Sequence, residues 1–301
     1  ADKLIPELLS REGPAVVYAD FNQDGKEDLF IGGARYQKPS LLIRRAKGFV
    51  EQAGNTDLKK DDKYEDVAAA AIDFDKDGDL DLYVVSGGND EKELNKALED
   101  RLYLNDGKGN LKRLRISLPH TNGSTVTVGD FDKDGFDDLF IGARSIPASY
   151  GLSPYSFILK NKGGFGVELI HKERYGMITH SQWADIDNDA DLDLIFCGDW
   201  MNINILENQG DGTFLNKSEA LGLGESAGLW NTFYLTDLNK DGQLDIIAGN
   251  AGTNFKWKAT SEKPVKLYVM DLDENGQSDP LIFHHYLQNN RFLVPSSLNQ
   301  F

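Results

Sequence analysis

The chain has 301 residues, of which 40% are hydrophobic, and its 49 acidic and 32 basic residues give a formal net charge of −17. This length can bury a substantial core, but the acidic balance disfavours a nucleic-acid partner, which needs clustered Lys and Arg. No apolar run approaches the roughly 20 residues of a bilayer-spanning helix, so no membrane span is expected. The single cysteine, Cys197, excludes an intrachain disulfide framework.

An aspartate-rich loop of nine residues recurs six times along the chain, with starts at residues 20, 73, 130, 185, 237 and 271. Its pattern is Asp-x-Asp-x-Asp-Gly-x-x-Asp, with few departures. The first five copies follow one another at a period near 55 residues, and the sixth begins 34 residues after the fifth. A regular period of this length is typical of repeat architectures.

Short apolar segments flank each loop, such as residues 16–18 before the first copy and 29–31 after it. Apolar runs this short, bounded by turn residues, predict buried strands with the loop as a hairpin turn. A second hairpin follows in most repeats, most clearly at residues 102–111, where Asn-Asp-Gly forms the turn. Four strands per repeat predict an all-β fold, a β-propeller of four-stranded antiparallel blades. The number of blades stays open between five and seven.

Two further elements are predicted outside this plan. Residues 91–100 read as a helix inserted in the second repeat. The sixth loop comes too early to start a blade of its own, so residues 265–269 and 281–286 are predicted to be the third and fourth strands of the fifth blade. Residues 1–301 are expected to form one propeller domain cut from a longer exported protein.

The loops have the composition of cation sites, because three or four carboxylates within nine residues repel one another unless a cation is bound. Oxygen ligands at alternate positions suit Ca²⁺, which takes 6–8 oxygens at about 2.3–2.6 Å. Positions 1, 3, 5 and 9 would supply side-chain oxygens and position 7 its carbonyl, while glycine at position 6 adopts an angle that side chains resist. An EF-hand is excluded because position 12, its bidentate acid, is apolar in all six copies.

About five or six Ca²⁺ ions are therefore expected. Acidic turns kept only for solubility would not need carboxylates in the same register six times. The residues predicted at these five positions are Asp20, Asn22, Asp24, Lys26 and Asp28; Asp73, Asp75, Asp77, Asp79 and Asp81; Asp130, Asp132, Asp134, Phe136 and Asp138; Asp185, Asp187, Asp189, Asp191 and Asp193; Asp237, Asn239, Asp241, Gln243 and Asp245; and Asp271, Asp273, Asn275, Gln277 and Asp279.

The motif Asp-Phe-Asp-Lys-Asp-Gly at 73–78 and 130–135, with Phe-Ile-Gly-Gly-Ala at 30–34 and Phe-Ile-Gly-Ala-Arg at 140–144, resembles the FG-GAP repeats of integrin α-subunit propellers. It is still more similar to bacterial VCBS repeats. Residues 102–110 and 212–223 resemble second hairpins of the cartilage-acidic-protein (ASPIC/UnbV-associated) branch. The resemblance implies a calcium-stabilised propeller on a secreted, periplasmic or cell-surface protein.

The same resemblance leaves two functions open, beside a third option, a structural spacer within a longer surface protein. The first is a non-catalytic adhesion or recognition module whose partner is a protein or a glycan. The alternative is a carbohydrate-active enzyme, of lyase or dehydratase type, with its site in the central cleft. The Gly-x-Ser-x-Gly sequence around Ser226 fits a hydrolase nucleophile elbow, which requires a strand-to-helix turn. Because Ser226 lies in a glycine-rich connection before the fifth repeat, no catalytic residue is predicted.

Overall fold

The computed structural model describes residues 13–88, 96–252, 257–272, 274–286 and 291–293. Most of this chain forms antiparallel β-sheets that follow one another in sequence order. Sheet 1 contains β1 (Val16–Ala19), β2 (Asp28–Ile31), β3 (Ser40–Arg45) and β4 (Gly48–Glu51). Sheet 2 contains β5 (Glu65–Ile72), β6 (Asp81–Gly87), β7 (Arg101–Leu104) and β8 (Lys112–Leu114). Sheet 3 contains β9 (Gly123–Gly129), β10 (Asp138–Ala143), β11 (Ser156–Asn161) and β12 (Val167–Glu173).

The fourth repeat forms the same kind of sheet, and the fifth forms a strand pair. Sheet 4 contains β13 (Met177–Ala184), β14 (Asp193–Met201), β15 (Asn204–Asn208) and β16 (Phe214–Asn216). Sheet 5 is the pair β17 (Gly228–Thr236) and β18 (Asp245–Asn250), which is joined to sheet 4 by two residue pairs between β14 and β17. Within each sheet every strand pairs with the next one along the chain. The predicted all-β class and four-stranded antiparallel sheets are thus confirmed.

Neighbouring sheets pack face to face, and the core is divided into four apolar layers between them. Side chains alternate between the two faces of a strand. Phe30 of sheet 1 faces sheet 2, where it packs with Leu82 and Val84, while Tyr83 turns the other way into the layer with sheet 3. The first strands of sheets 1 to 5 lie beside one another. The second strand of sheets 2 to 4 is buried on both faces, which explains its continuous apolar sequence.

The sixth repeat forms a sheet of its own among the described residues, which corrects the assignment of its strands to the fifth blade. Sheet 6 contains β19 (Lys266–Met270), β20 (Asp279–Tyr286) and β21 (Arg291–Leu293), and β19 pairs with β20 rather than with β18. The reason lies in the loop, which joins the first and second strands in every repeat. The sixth loop does the same and so begins a new sheet.

The helix prediction for residues 91–100 is wrong over its described part. Residues 91–95 lie outside the described residues, Lys96–Leu98 form one 3₁₀ turn, and Asp100 directly precedes β7. Leu98 and Asp100 are both buried there, although residues two apart do not lie on the same face of a helix. A short helix that the sequence did not indicate, α1 (Thr56–Lys60), buries Leu58 in the layer between sheets 1 and 2. Neither helical segment has the length and apolarity of a bilayer-crossing helix, as far as the described residues extend.

Candidate metal centres in the aspartate loops

Each aspartate loop connects the first two strands of its sheet, and all six have left-handed backbone angles at positions 4 and 6. Position 6 has a φ between +71° and +91°, as the glycine pattern predicts. The fourth loop reaches +71° with Ala190, a side chain that resists this region. Position 4 is also left-handed, with φ between +55° and +65°. The sequence does not indicate this second left-handed position, because the residues found there (Gln, Lys, Asn and Glu) share no preference for left-handed backbone angles.

The carboxylate at position 1 holds the loop closed by accepting two backbone hydrogen bonds. In the third loop, Asp130 accepts from the amide of Asp134 at 3.1 Å and from that of Gly135 at 2.9 Å. The same two bonds recur in the first, fourth, fifth and sixth loops. In these five loops the position 1 carboxylate is therefore fixed by the turn itself, whereas Asp73 of the second loop lacks this pair of bonds among the described residues.

The aspartate at position 9 begins the second strand, and in sheets 1 to 4 it is buried. One of its oxygens accepts the amide of position 2, as from Phe74 to Asp81 at 3.0 Å, in all six loops. In sheets 1 to 4 the other oxygen accepts an amide at the end of the third strand or just after it, as from Asn105 to Asp81 at 2.8 Å. Position 9 thus ties the loop to the sheet, a role that the ligand pattern alone did not reveal.

Three loops bring three carboxylates together within 4.8 Å, as a metal site requires. These clusters are Asp73, Asp75 and Asp77; Asp130, Asp132 and Asp138; and Asp185, Asp187 and Asp193. Positions 1 and 3 contribute to each cluster, joined by position 5 or position 9. The first and fifth loops have asparagine at position 3, and in the sixth loop position 3 lies outside the described residues. Within the described part of the chain, these three loops form no cluster of three acids.

Position 7 varies in its side chain, so a shared ligand there must come from the backbone. Lys26 and Phe136 have no side-chain oxygen, and Asp191 pairs with Lys133 of the preceding loop. Asp79 is different, because it is buried and its Oδ1 has no hydrogen-bond partner among the described residues. Its amide donates to Asp77 at 3.0 Å, a bond that recurs at position 7 of every loop.

Several carboxyl groups of the loops have raised pKa values, because they are buried or lie close to other carboxylates without a balancing positive charge. Burial raises the pKa of Asp81 and of Asp138 to about 7. Burial, followed by repulsion from Asp77 and Asp75, raises the pKa of Asp79 to about 6. Asp73 Oδ1 is also buried with no hydrogen-bond partner in the described part of the chain. A hard cation fits this all-oxygen donor set, because it would offset the repulsion and coordinate the unpartnered oxygens.

The third loop already contains a cation from the protein. Lys160, on β11, contacts Asp132 and lies 2.9 Å from Asp134. Its hydrogen bond holds the pKa of Asp134 below the ordinary value. A metal ion at this loop would therefore compete with an ammonium group for positions 3 and 5.

Two sets of contacts connect the loops of sheets 1 to 4 to the sheets that follow them. In the first set, an asparagine just after or at the end of the third strand donates to the position 2 carbonyl of the preceding sheet. These bonds are Asn105 to Phe21 at 2.7 Å, Asn161 to Phe74 at 2.8 Å and Asn208 to Phe131 at 2.8 Å.

In the second set, the side chain at position 4 contacts the following loop. Gln23 donates to the Gly78 carbonyl, Lys76 pairs with Asp137, Lys133 pairs with Asp191, and Asn188 donates to Gln243. The loops of sheets 1 to 5 therefore form one connected end of the structure.

Ser226 is held by backbone contacts. Its hydroxyl donates to the Leu223 carbonyl at 2.7 Å and accepts the Ile203 amide at 3.0 Å. The chain continues from Ser226 into the strand β17 rather than into a helix. The geometry is that of a connection between sheets and does not match a nucleophile elbow.

Comparisons with known proteins agree with this architecture. This chain is 31% identical to cartilage acidic protein 1 of Homo sapiens over 111 residues, and 23% identical to cartilage acidic protein 1 of Xenopus tropicalis over 278 residues. These matches cover 36% and 78% of this chain, but it spans only 14% and 39% of those relatives. Among solved structures, an Agrocybe aegerita lectin that recognises non-reducing terminal N-acetylglucosamine is similar, with a TM-score of 0.50 and 17% identity over 91% of this chain and 66% of the lectin chain. The FG-GAP-like repeat matches residues 20–84, 73–141 and 174–248, more than half of the chain, which therefore belongs to the FG-GAP-like repeat family.

Proposed function

We propose that this chain is a calcium-binding recognition module of a secreted, periplasmic or cell-surface protein, and that it binds a protein or a glycan without catalysing a reaction. Its sheets would be the blades of a propeller of five to seven blades, formed by residues 1–301 as one domain. The observation that carries the proposal is the geometry of the second loop, where Asp73, Asp75 and Asp77 converge and a buried oxygen of Asp73 has no hydrogen-bond partner among the described residues.

In the proposed sites, side-chain oxygens come from positions 1, 3, 5 and 9 and a carbonyl oxygen from position 7. Five or six Ca²⁺ ions would then be bound along the chain. Calcium would supply positive charge, and the loops would supply a backbone already closed by position 1 and anchored by position 9. Calcium sites of extracellular modules bind at roughly 10⁻⁴–10⁻³ M, so loops of this kind suit an environment outside the cytosol.

The recognition role rests on the shape of the molecule and on its relatives. The stacked sheets place the connections between second and third strands, such as residues 144–155, at the end opposite the aspartate loops, and Leu152 and Tyr155 of that connection are exposed there. The similar lectin recognises a terminal sugar. A glycan is therefore the first ligand to test, with a protein as the second.

The experiment is a screen of the purified chain against a glycan array and an extracellular-protein array, each with millimolar calcium and with chelator. Calcium titration by calorimetry on the same sample reports the metal sites separately. We expect calcium uptake together with binding to a restricted set of ligands that is lost in chelator. Calcium uptake without any ligand on either array would contradict the recognition role, and an absence of uptake would contradict the metal sites.

A further inference from the structure

The turn of the second hairpin lies against the aspartate loop in sheets 2, 3 and 4. Equivalent glycines stand in this turn, and a Cβ added to any of them would come within 3.4 Å of the position 7 side chain of the loop. These pairs are Gly107 with Asp79, Gly163 with Phe136 and Gly210 with Asp191. Side chains at the end of the third strand, where this hairpin turns, are therefore close enough to change the electrostatic potential of each candidate metal site.

Two positions next to these turns differ in charge from sheet to sheet. Their register is fixed by the residue between them, whose amide donates to the position 9 aspartate in sheets 1 to 4. The flanking residues are Ile43 and Arg45 in sheet 1, Leu104 and Asp106 in sheet 2, Lys160 and Lys162 in sheet 3, and Glu207 and Gln209 in sheet 4. The charge beside the loop thus alternates, positive in the first and third sheets and negative in the second and fourth.

The third loop has the closest contact with one of these charges. The ammonium group of Lys160 contacts Asp132 and lies 2.9 Å from Asp134, and the Lys160 side chain is only 17% exposed. In the first loop, by contrast, Arg45 lies 3.9 Å from Asp24 and is 55% exposed, so water screens the pair. Lys160 is therefore bound between the position 3 and position 5 carboxylates, which a metal ion in the third loop would need as ligands.

The second loop has no such counter-ion. In the described part of the chain, none of its aspartates pairs with Lys or Arg, and Asp79 Oδ1 is buried without a hydrogen-bond partner. Leu104 contributes no charge, and Asp106 adds to the burial and the neighbouring aspartates that raise the pKa of Asp79. The fourth loop lies between the two cases, because Glu207 is acidic but pairs with Lys217 at 3.1 Å.

We propose that the residue at position 160 sets the order in which the loops bind calcium: Lys160 is the built-in cation of the third loop, which takes calcium after the second loop. This inference rests on the calcium sites of the proposed function and ranks them. The ammonium group balances the third loop without metal, and Ca²⁺ must displace it from two carboxylates that it needs as ligands. In the second loop Ca²⁺ displaces no protein cation and relieves repulsion between carboxylates, so it binds at a lower concentration.

The test follows each loop through its position 6 glycine, by NMR of the 301-residue chain with isotope-labelled glycine. Calcium is titrated into the metal-free sample, and the midpoints at the Gly78 and Gly135 amides report the second and third loops separately. We expect Gly78 to respond at a calcium concentration about tenfold below that of Gly135, because one unit charge at contact distance changes affinity by at least this factor. Equal midpoints for the two glycines would overturn the proposal.

Reciprocal substitutions exchange the residues at the equivalent positions of the two sheets. Lys160→Leu removes the counter-ion of the third loop, so the Gly135 midpoint should fall about tenfold and the metal-free melting temperature should fall as well. Leu104→Lys places an ammonium group beside the second loop, at a half-buried position. The Gly78 midpoint should then rise by a similar factor while that of Gly135 stays unchanged. This second variant keeps the test decisive if Lys160→Leu does not fold.

Lys162→Leu is the matched control, because it removes the same charge from the same hairpin. Lys162 pairs with Glu168 of β12 at 3.2 Å rather than with the loop, so the Gly135 midpoint should stay almost unchanged. An unchanged midpoint in Lys160→Leu, or an equal shift in Lys162→Leu, would refute the role of Lys160. If neither glycine of the wild-type chain responds to calcium, the calcium sites of the proposed function are refuted, whereas a response that is independent of residue 160 refutes this inference alone.

Discussion

Asn161 donates a hydrogen bond of 2.8 Å from Nδ2 to the carbonyl oxygen of Phe74, 87 residues earlier and in the preceding sheet. The amide of Phe74 donates to Asp81, and the amide of Asn161 donates to Asp138. With the equivalent bonds of Asn105 and Asn208, one chain of hydrogen bonds runs from sheet 1 to sheet 4. It connects the position 9 aspartates, so the loops are mechanically linked to one another.

Replacing this asparagine should therefore destabilise the fold. Asn161→Leu keeps the size of the side chain but leaves the Phe74 carbonyl without its donor, and an unsatisfied buried polar group costs about 1–3 kcal/mol. Urea unfolding measures the loss. Asn204→Leu is the control, because Asn204 donates only within its own sheet, to Asn202, and is half-buried. Equal losses for the two variants would contradict a special role for the link between sheets.

The hairpins and their turns could be predicted from the sequence because their signals are local. A glycine at position 6 and apolar runs on both sides specify the loop and its strands without knowledge of the rest of the chain. The asparagine link could not be predicted. Asn105 stands in an Asn-Asp-Gly turn, and that pattern indicates a tight turn rather than a partner 84 residues away.

In the candidate metal sites, too, local features could be predicted from the sequence, whereas contacts between distant residues could not. The convergence of Asp73, Asp75 and Asp77 follows from alternate positions in one turn. The ammonium group of Lys160 in the third loop comes from a strand 28 residues away, so it depends on the packing of the sheet. The prediction that β19 and β20 belong to the fifth blade is wrong. It follows from the short spacing of 34 residues between the fifth and sixth loops, but the loop joins the first and second strands of a sheet in every copy.

Removal of calcium should lower the melting temperature by many degrees. Ions that bind only the folded chain stabilise it by mass action, by about 1.4 kcal/mol for each site when millimolar calcium is a tenfold excess over Kd. Differential scanning fluorimetry in millimolar calcium and in excess EGTA measures the difference, and readdition of calcium is the control for irreversible damage. Identical melting curves would exclude a stabilising metal.

Asp77 and Asp79 should differ in their effect on this calcium response. Asp77→Ala removes a member of the second cluster, so the calcium-induced rise in melting temperature should shrink. Asp79→Ala removes a buried carboxylate that its neighbours repel, so the metal-free chain should be no less stable and the calcium response should persist. Calorimetry on both variants checks calcium affinity. A larger loss for Asp79→Ala would place the side-chain ligand at position 7.

The calcium response should also depend on pH. Burial raises the pKa of Asp81 and of Asp138 to about 7 in the folded, metal-free chain, from the ordinary value of 3.8. The folded state then binds more protons than the unfolded state between about pH 4 and pH 7, so metal-free stability falls as pH rises through this window. Calcium requires the ionised carboxylates, and its stabilising effect should grow over the same range. Melting temperatures of metal-free and calcium-loaded samples from pH 5 to pH 8 test this, and an equal calcium effect throughout would contradict it.

A single substitution in the fourth loop should increase the stability of the folded chain. Ala190 has a φ of +71° at position 6, where the other five loops have glycine, and the left-handed region costs an L-residue about 1–2 kcal/mol. Ala190→Gly should therefore raise the free energy of unfolding by about 1 kcal/mol, a gain reduced by the greater freedom of glycine in the unfolded chain.

Gly135→Ala is the reciprocal variant in the third loop, where φ is +89° and an added Cβ meets no atom within 4 Å. It should destabilise through backbone strain alone. Urea unfolding of both variants in chelator separates this strain from metal binding, and changes of the same sign would show that position 6 does not control the turn.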